Sequence, residues 1–196
     1  MSATAPIIFL DIDGVLCTAN TSNHDVYDIQ DQLIPRQRAG HSTFDPIAIA
    51  YLNRLCETTG ARVVVSSSWR NDDDVPHILR RVGFAGTFHP DWRTPYIKGG
   101  HSYRARRGRE IAAWLLNHPD ITRYVIIDDD GDMLPEQRAH FVQTSGWYGF
   151  GLLEMEAAKD LLGVTPLLNA DQRAAAYRAN ATTLRRLANR QAPKKP

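Results

Sequence analysis

"IIFLDIDGVL", residues 7–16, is the stretch on which the fold turns. Four apolar residues run straight into Asp11 and Asp13, one residue apart, and then Gly14. A short apolar run bounded this way reads as a buried strand. Two carboxylates at its end repel each other, and burying them without a partner is costly. Either they lie in a solvated turn or something positive sits between them.

The rest of the chain narrows the choice. It has 196 residues, 43% of them hydrophobic, which suits one domain with a sizeable core. A formal net charge of +1 names no partner. Two cysteines, Cys17 and Cys56, are too few for a disulfide framework and fit a reducing compartment. The apolar run "IIFL" is too short for a signal-peptide core, and no stretch approaches the length of a membrane span. A soluble, cytoplasmic protein is expected.

Outward from the first strand, apolar runs alternate with helical patterns. Residues 17–43 are polar and punctuated, a loop or small flap. "FDPIAIAYLNRLCETTG" carries helix signals: Asp45 as N-cap, Pro46 at the first helical position and Gly60 at the end. "ARVVVS" reads as a second buried strand, "DVPHILRRVG" as a short helix, and residues 84–103, rich in aromatics, Gly and Pro, as irregular. "RGREIAAWLLNHP" is an amphipathic helix, "RYVIID" a third strand, "HFVQTS" a fourth and "LLEMEAAKDLLG" another helix. A last helix over 169–191 precedes the tail "APKKP". The expected organisation is a domain over residues 1–168 with a C-terminal helix and basic tail over 169–196.

Apolar strands separated by helices predict an α/β fold: a Rossmann-like parallel sheet with helices on both faces. Ligands of such sheets bind beyond the carboxyl ends of the strands. Asp11-Ile12-Asp13-Gly14 follows the first strand, Ser66 to Arg70 ("SSSWR") the second, and Asp128 to Asp132 ("DDDGD") the third. Polar groups suited to chemistry therefore gather at one end of three strands.

This constellation resembles the haloacid dehalogenase-like (HAD) superfamily of phosphatases. Asp11, Asp13, Gly14 and Val15 match its first motif, Ser66 its second and the acidic pair Asp128 and Asp129 its fourth, in the family's order, over about residues 7–163. "SSSWR", "RGREIAAWL" and "IIDDD" also resemble a HAD branch found in RNA-repair contexts. The resemblance implies Mg²⁺ held by Asp11, the backbone carbonyl of Asp13 and Asp128, with Asp129 either a further ligand or just behind the ligands, and Asp132 a lesser candidate. It implies a Lys or Arg opening a later helix; Arg107 is the choice, with Lys98 and Arg104 as rivals. A small or minimal cap is expected, because neither intervening segment has room for a large one.

The chemistry agrees. A carboxylate approaching a phosphoryl group must overcome its negative charge, and a hard divalent cation on oxygen ligands offsets the repulsion. Residues two apart in an extended segment point to the same side, so Asp11 and Asp13 both face the ligand. Asp11 would attack phosphorus to form an aspartyl-phosphate, and Asp13 would serve as acid and then base. Ser66, its neighbour Ser67 and Arg107 would hold phosphate oxygens, with Arg70 clamping the same phosphate or a second one. The presence of Asp13 favours phosphate chemistry over dehalogenation.

Blander readings exist for each feature. "DIDG" alone is common in turns and calcium loops, but "DDDGD" lacks the spaced ligands and terminal Glu of a calcium loop. The histidines have no zinc-ligand spacing. Trp69, Trp92 and Trp114 read as core or cap residues, and Cys17 as packing. Between Arg93 and Arg109 lie five arginines and one lysine with no acid. That stretch is either a solvated loop or an anion-binding rim suited to phosphate and nucleic acid. The expected function is Mg²⁺-dependent hydrolysis of a phosphomonoester on a nucleotide or nucleic-acid end. A sugar-phosphate phosphatase and a catalytically silent HAD-like binding module are the alternatives.

Overall fold

A computed structural model of the chain describes residues 4–19, 21, 44–97 and 105–191, with side chains as far as residue 182. Five strands form one all-parallel sheet: β1 (Ile7–Leu10), β2 (Arg62–Val65), β3 (Thr87–Arg93), β4 (Tyr124–Asp128) and β5 (Phe141–Gln143), in the order β3-β2-β1-β4-β5. The helices are α1 (Pro46–Thr59), α2 (Val75–Arg81), α3 (Arg106–Leu116), α4 (Leu152–Leu161) and α5 (Ala170–Gln191). Among the described residues no helix is long and apolar enough to cross a membrane.

The central strand explains why its sequence is a continuous apolar run. Side chains alternate across a strand, and both faces of β1 are covered. Ile8 and Leu10 enter the larger core with Leu52 and Leu55 of α1 and Met155 of α4. Ile7 and Phe9 enter a smaller one with Ile111 and Trp114 of α3, where the Phe9 and Trp114 rings meet edge to face at 5.3 Å. The helix signals of α1 are realised. Asp45 accepts a hydrogen bond from Ile47 N at 2.8 Å, and Gly60 closes the helix at φ +67°.

One expectation is corrected. Within residues 84–103, read as irregular, Thr87–Arg93 is the edge strand β3. Its register shifts between the pairs Val63–Phe88 and Val65–Arg93, so β3 carries extra residues there. Pro90 sits in that irregular stretch, where a missing N–H costs no ladder bond. The pattern is half exposed and lacks the apolar run that marks a central strand. Residues 20, 22–43 and 98–104 lie outside the described set, and with them most of the expected flap, Lys98 and Arg104.

Because every strand runs the same way, all carboxyl ends meet at one edge. The chain moves outward from β1 through β2 to β3, then crosses back to β4 on the other side of β1. That reversal opens a crevice between β1 and β4, where open α/β sheets bind ligands. The ladder runs one step past the strands. Asp11 N donates to Ile127 O at 3.0 Å, Ser66 N to Leu10 O at 2.9 Å, and Thr144 N to Asp128 O at 3.0 Å. The residues after the strands are thereby fixed as firmly as the strands themselves.

Candidate active site

Asp11 leaves β1 and Asp128 ends β4, at the crevice. Carboxylate oxygens of Asp11, Asp128 and Asp129 lie within 4.8 Å of one another. They line a pocket of about 420 Å³ together with Asp13, Ser68 and Arg107. Arg107, in the first turn of α3, reaches in between them. Its Nη2 is 3.2 Å from Asp11 Oδ1, and its Nε is 3.2 Å from Asp128 Oδ2.

One guanidinium does not neutralise three desolvated acids. Burial pushes the Asp11 carboxyl up to about 6, against the opposing pull of Arg107. Burial, with Asp11 alongside, pushes Asp128 up to about 7, and burial raises Asp129 too. Asp128 Oδ2 has no well-directed hydrogen bond, and neither do the buried donors Ser66 Oγ and Arg107 Nη1. A carboxylate oxygen met only by the poorly aligned Arg107 Nε suits a cation, and the orphaned donors suit an anion. The donor set, all hard oxygens, fits Mg²⁺.

Gly14 is needed for this packing. Its φ is +74°, and a Cβ there would lie 2.2 Å from Asp129 Cγ. Gly146, on the other side, leaves room for the same carboxylate: a Cβ would stand 2.8 Å from Asp129 Oδ2. Thr144 Oγ1 donates to Gly14 O at 2.9 Å and ties the first acidic loop to the segment after β5.

The carboxylate of Asp13 stands apart from the cluster and is exposed. Trp69 Nε1 donates to its Oδ2 at 3.0 Å. Trp69 is itself buried edge to face on Phe44, at 5.6 Å. It is a core residue, as the sequence suggests, and also the one that holds Asp13. No signal in the sequence marks that second role, because the partners are 56 positions apart.

The serine run divides its labour. Ser66 is fully buried with its Oγ unpartnered, Ser67 Oγ accepts from Trp69 N at 3.4 Å, and Ser68 lines the pocket. Arg70, expected at the substrate phosphate, is turned away from the acid pocket. Its Nη1 donates to Ser66 O at 2.9 Å and Ser67 O at 2.8 Å, and its Nη2 meets Glu110 Oε2 at 2.6 Å with both side chains buried. Arg70 thus ties the serine loop to α3, and Glu110 is a residue the sequence reading missed. Asp132, a lesser metal candidate, instead caps α3. Its Oδ2 accepts from Arg106 N at 2.9 Å and Arg107 N at 3.3 Å, which fixes the turn that carries Arg107. Burial, then the nearby acids, raise the Cys17 thiol well above its ordinary value, so it stays protonated.

A family model described as the HAD domain in Swiss Army Knife RNA repair proteins matches residues 7–157. No curated protein and no solved structure matches the chain.

Proposed function

We propose that this chain, which belongs to the family of HAD domains in Swiss Army Knife RNA repair proteins, hydrolyses the terminal phosphomonoester of a nucleic acid through an aspartyl-phosphate on Asp11. HAD-type phosphoesterase chemistry comes with the family. The observation that carries the finer reading is the gathering of Asp11, Asp128 and Asp129, the first two paired with Arg107, beside an independently held Asp13.

The steps follow from what each side chain can do. Arg107 binds phosphate oxygens and holds the Asp11 carboxylate in line with phosphorus. An Asp11 oxygen attacks phosphorus while the bond to the leaving oxygen breaks, and Asp13 gives that oxygen its proton. Asp13, now a carboxylate, takes a proton from water. The resulting hydroxide attacks phosphorus, and the Asp11 carboxylate departs as inorganic phosphate forms. Trp69 keeps Asp13 beside the reaction without blocking Asp11. Mg²⁺, held by Asp11, the Asp13 carbonyl, Asp128 and Asp129, would supply the positive charge that lets an anionic nucleophile meet an anionic phosphate.

Two features support a nucleic-acid end as substrate: the family's RNA-repair setting and the run of five arginines and one lysine from Arg93 to Arg109 in the sequence, of which Arg107 lines the acid pocket. The test is a phosphatase screen with Mg²⁺ and with chelator. It should cover an aryl phosphate, nucleotides, 3′- and 5′-phosphorylated oligonucleotides and sugar phosphates. Preferred turnover of a phosphorylated oligonucleotide is expected. Efficient turnover of a sugar phosphate with none of the oligonucleotides would overturn the substrate.

A further inference from the structure

A second pocket, about 400 Å³, opens where β3 ends, beside α3. Nothing in the proposed reaction uses it. A single 3-10 turn, Ser68–Asn71, divides it from the acid pocket: Ser68 lines the acid pocket and Asn71 the second one. Ser68 and Asn71 are three steps apart on that turn, about 6 Å along its axis, so the two pockets have neighbouring walls. The start of α3 is a second link. Arg107 reaches Asp11, while the guanidinium carbon of Arg106 lies 5.9 Å from the ring centre of Tyr96 in the second pocket's wall.

The wall has the chemistry of a nucleoside site. Tyr96 is 51% exposed, and the guanidinium carbon of Arg70 lies 5.8 Å from its ring centre. An exposed ring among cations is a platform on which a base stacks. Asn71, Asn117 and Asp91 offer donors and acceptors to a base edge. Thr94 and Arg70, both nearly fully buried in this wall, have unpartnered polar atoms, Oγ1 and Nε. Such groups are rarely left unsatisfied without a reason. Two acids weigh against a bare anion site: Asp91 in the wall, and Asp73, which meets Arg93 at 2.5 Å. Mixed donors and acceptors beside an aromatic ring suit a nucleoside better than free phosphate.

We infer that this pocket is a nucleoside subsite, which takes the nucleotide next to the terminal phosphate of a single-stranded nucleic-acid end, its base against Tyr96. The inference rests on the nucleic-acid reading of the acid pocket.

The experiment uses the full chain with Mg²⁺ and a labelled single-stranded hexanucleotide bearing a terminal phosphate. Affinity is measured on Asp11→Asn, which does not turn over, alone and combined with Tyr96→Ala or Asn117→Ala. Aryl phosphate turnover is measured on the Tyr96→Ala and Asn117→Ala single variants. Tyr96→Ala should weaken hexanucleotide binding about tenfold, the loss of one base–aromatic stack. Asn117→Ala should weaken it less, and both should leave aryl phosphate kinetics unchanged. Unchanged hexanucleotide affinity in both variants would overturn the subsite while leaving the nucleic-acid substrate standing. If the parent binds no oligonucleotide although the wild type hydrolyses aryl phosphate, the substrate reading fails and the subsite with it.

Discussion

Arg107 spans the two aspartates that end adjacent strands, with Nη2 3.2 Å from Asp11 and Nε 3.2 Å from Asp128. One side chain thus serves the proposed nucleophile and a proposed metal ligand together, and its third nitrogen, Nη1, is left unpartnered. Arg107→Ala should lower kcat on an aryl phosphate by roughly 10²–10³, the scale for losing one preorganised charge-stabilising donor. Arg107→Lys keeps the charge but loses the fork, so it should fall between. Wild-type kcat in Arg107→Ala would show that α3 does not supply the phosphate-binding cation.

The raised carboxyls of Asp11 and Asp128 have a sign that can be tested. An acid whose folded value lies above its unfolded one stabilises the fold at low pH and loses that contribution as pH rises through the folded value. For these two acids the window runs from their ordinary values up to about 6 and about 7. Metal-free protein should therefore lose Tm from about pH 4 to pH 7, and Asp128→Asn should flatten the slope. Mg²⁺ at the proposed site would bind its ionised form, so it should raise Tm more at the upper end. Thermal melts with chelator and with Mg²⁺ across that range check both points. A Tm that climbs steadily with pH in chelator would contradict the electrostatics.

Trp69→Phe keeps the aromatic packing on Phe44 but removes the N–H that holds Asp13. A loss of several-fold to tenfold in kcat is expected, up to about 1.4 kcal/mol, with little change in KM or Tm, since Asp13 is exposed and water replaces much of the lost hydrogen bond. A variant that loses stability but keeps the wild-type kcat would make Trp69 a packing residue alone.

Much of this was legible in the sequence, for physical reasons. The buried strands announce themselves because both faces of a central parallel strand must be apolar, and Asp45, Pro46 and Gly60 mark α1 by chemistry local to its ends. Asp11, Asp128 and Asp129 converge because they end neighbouring parallel strands. What escaped depends on contacts made only after folding. β3 hides behind Pro90 and its half-exposed pattern. The Trp69–Asp13 bond, the capping of α3 by Asp132 and the Arg70–Glu110 pair each join distant positions. Arg70 was expected at the phosphate because it follows the serines; the 3-10 turn rotates it away, toward α3.

Gly14→Ala places a methyl group against the Asp129 carboxylate and asks Ala to hold φ +74°. The backbone strain alone costs about 1–3 kcal/mol. Chemical denaturation should show at least that loss, with Mg²⁺ affinity falling as Asp129 is displaced. Equal stability and equal Mg²⁺ binding in Gly14→Ala would mean that the close approach of the two loops is dispensable.

The covalent step is tested most directly in Asp13→Asn. This variant lacks the proposed base that activates water, while an aryl phosphate, with its good leaving group, has little need of the acid in the first step. The protein is mixed with aryl phosphate and Mg²⁺, quenched in acid and mapped by peptide mass. The expected result is one added phosphoryl group on the peptide that carries Asp11, absent when Asp11→Asn is also introduced. Wild-type turnover with no phosphorylated Asp11 peptide in Asp13→Asn, or a phosphoryl group on a different residue, would contradict the aspartyl-phosphate mechanism.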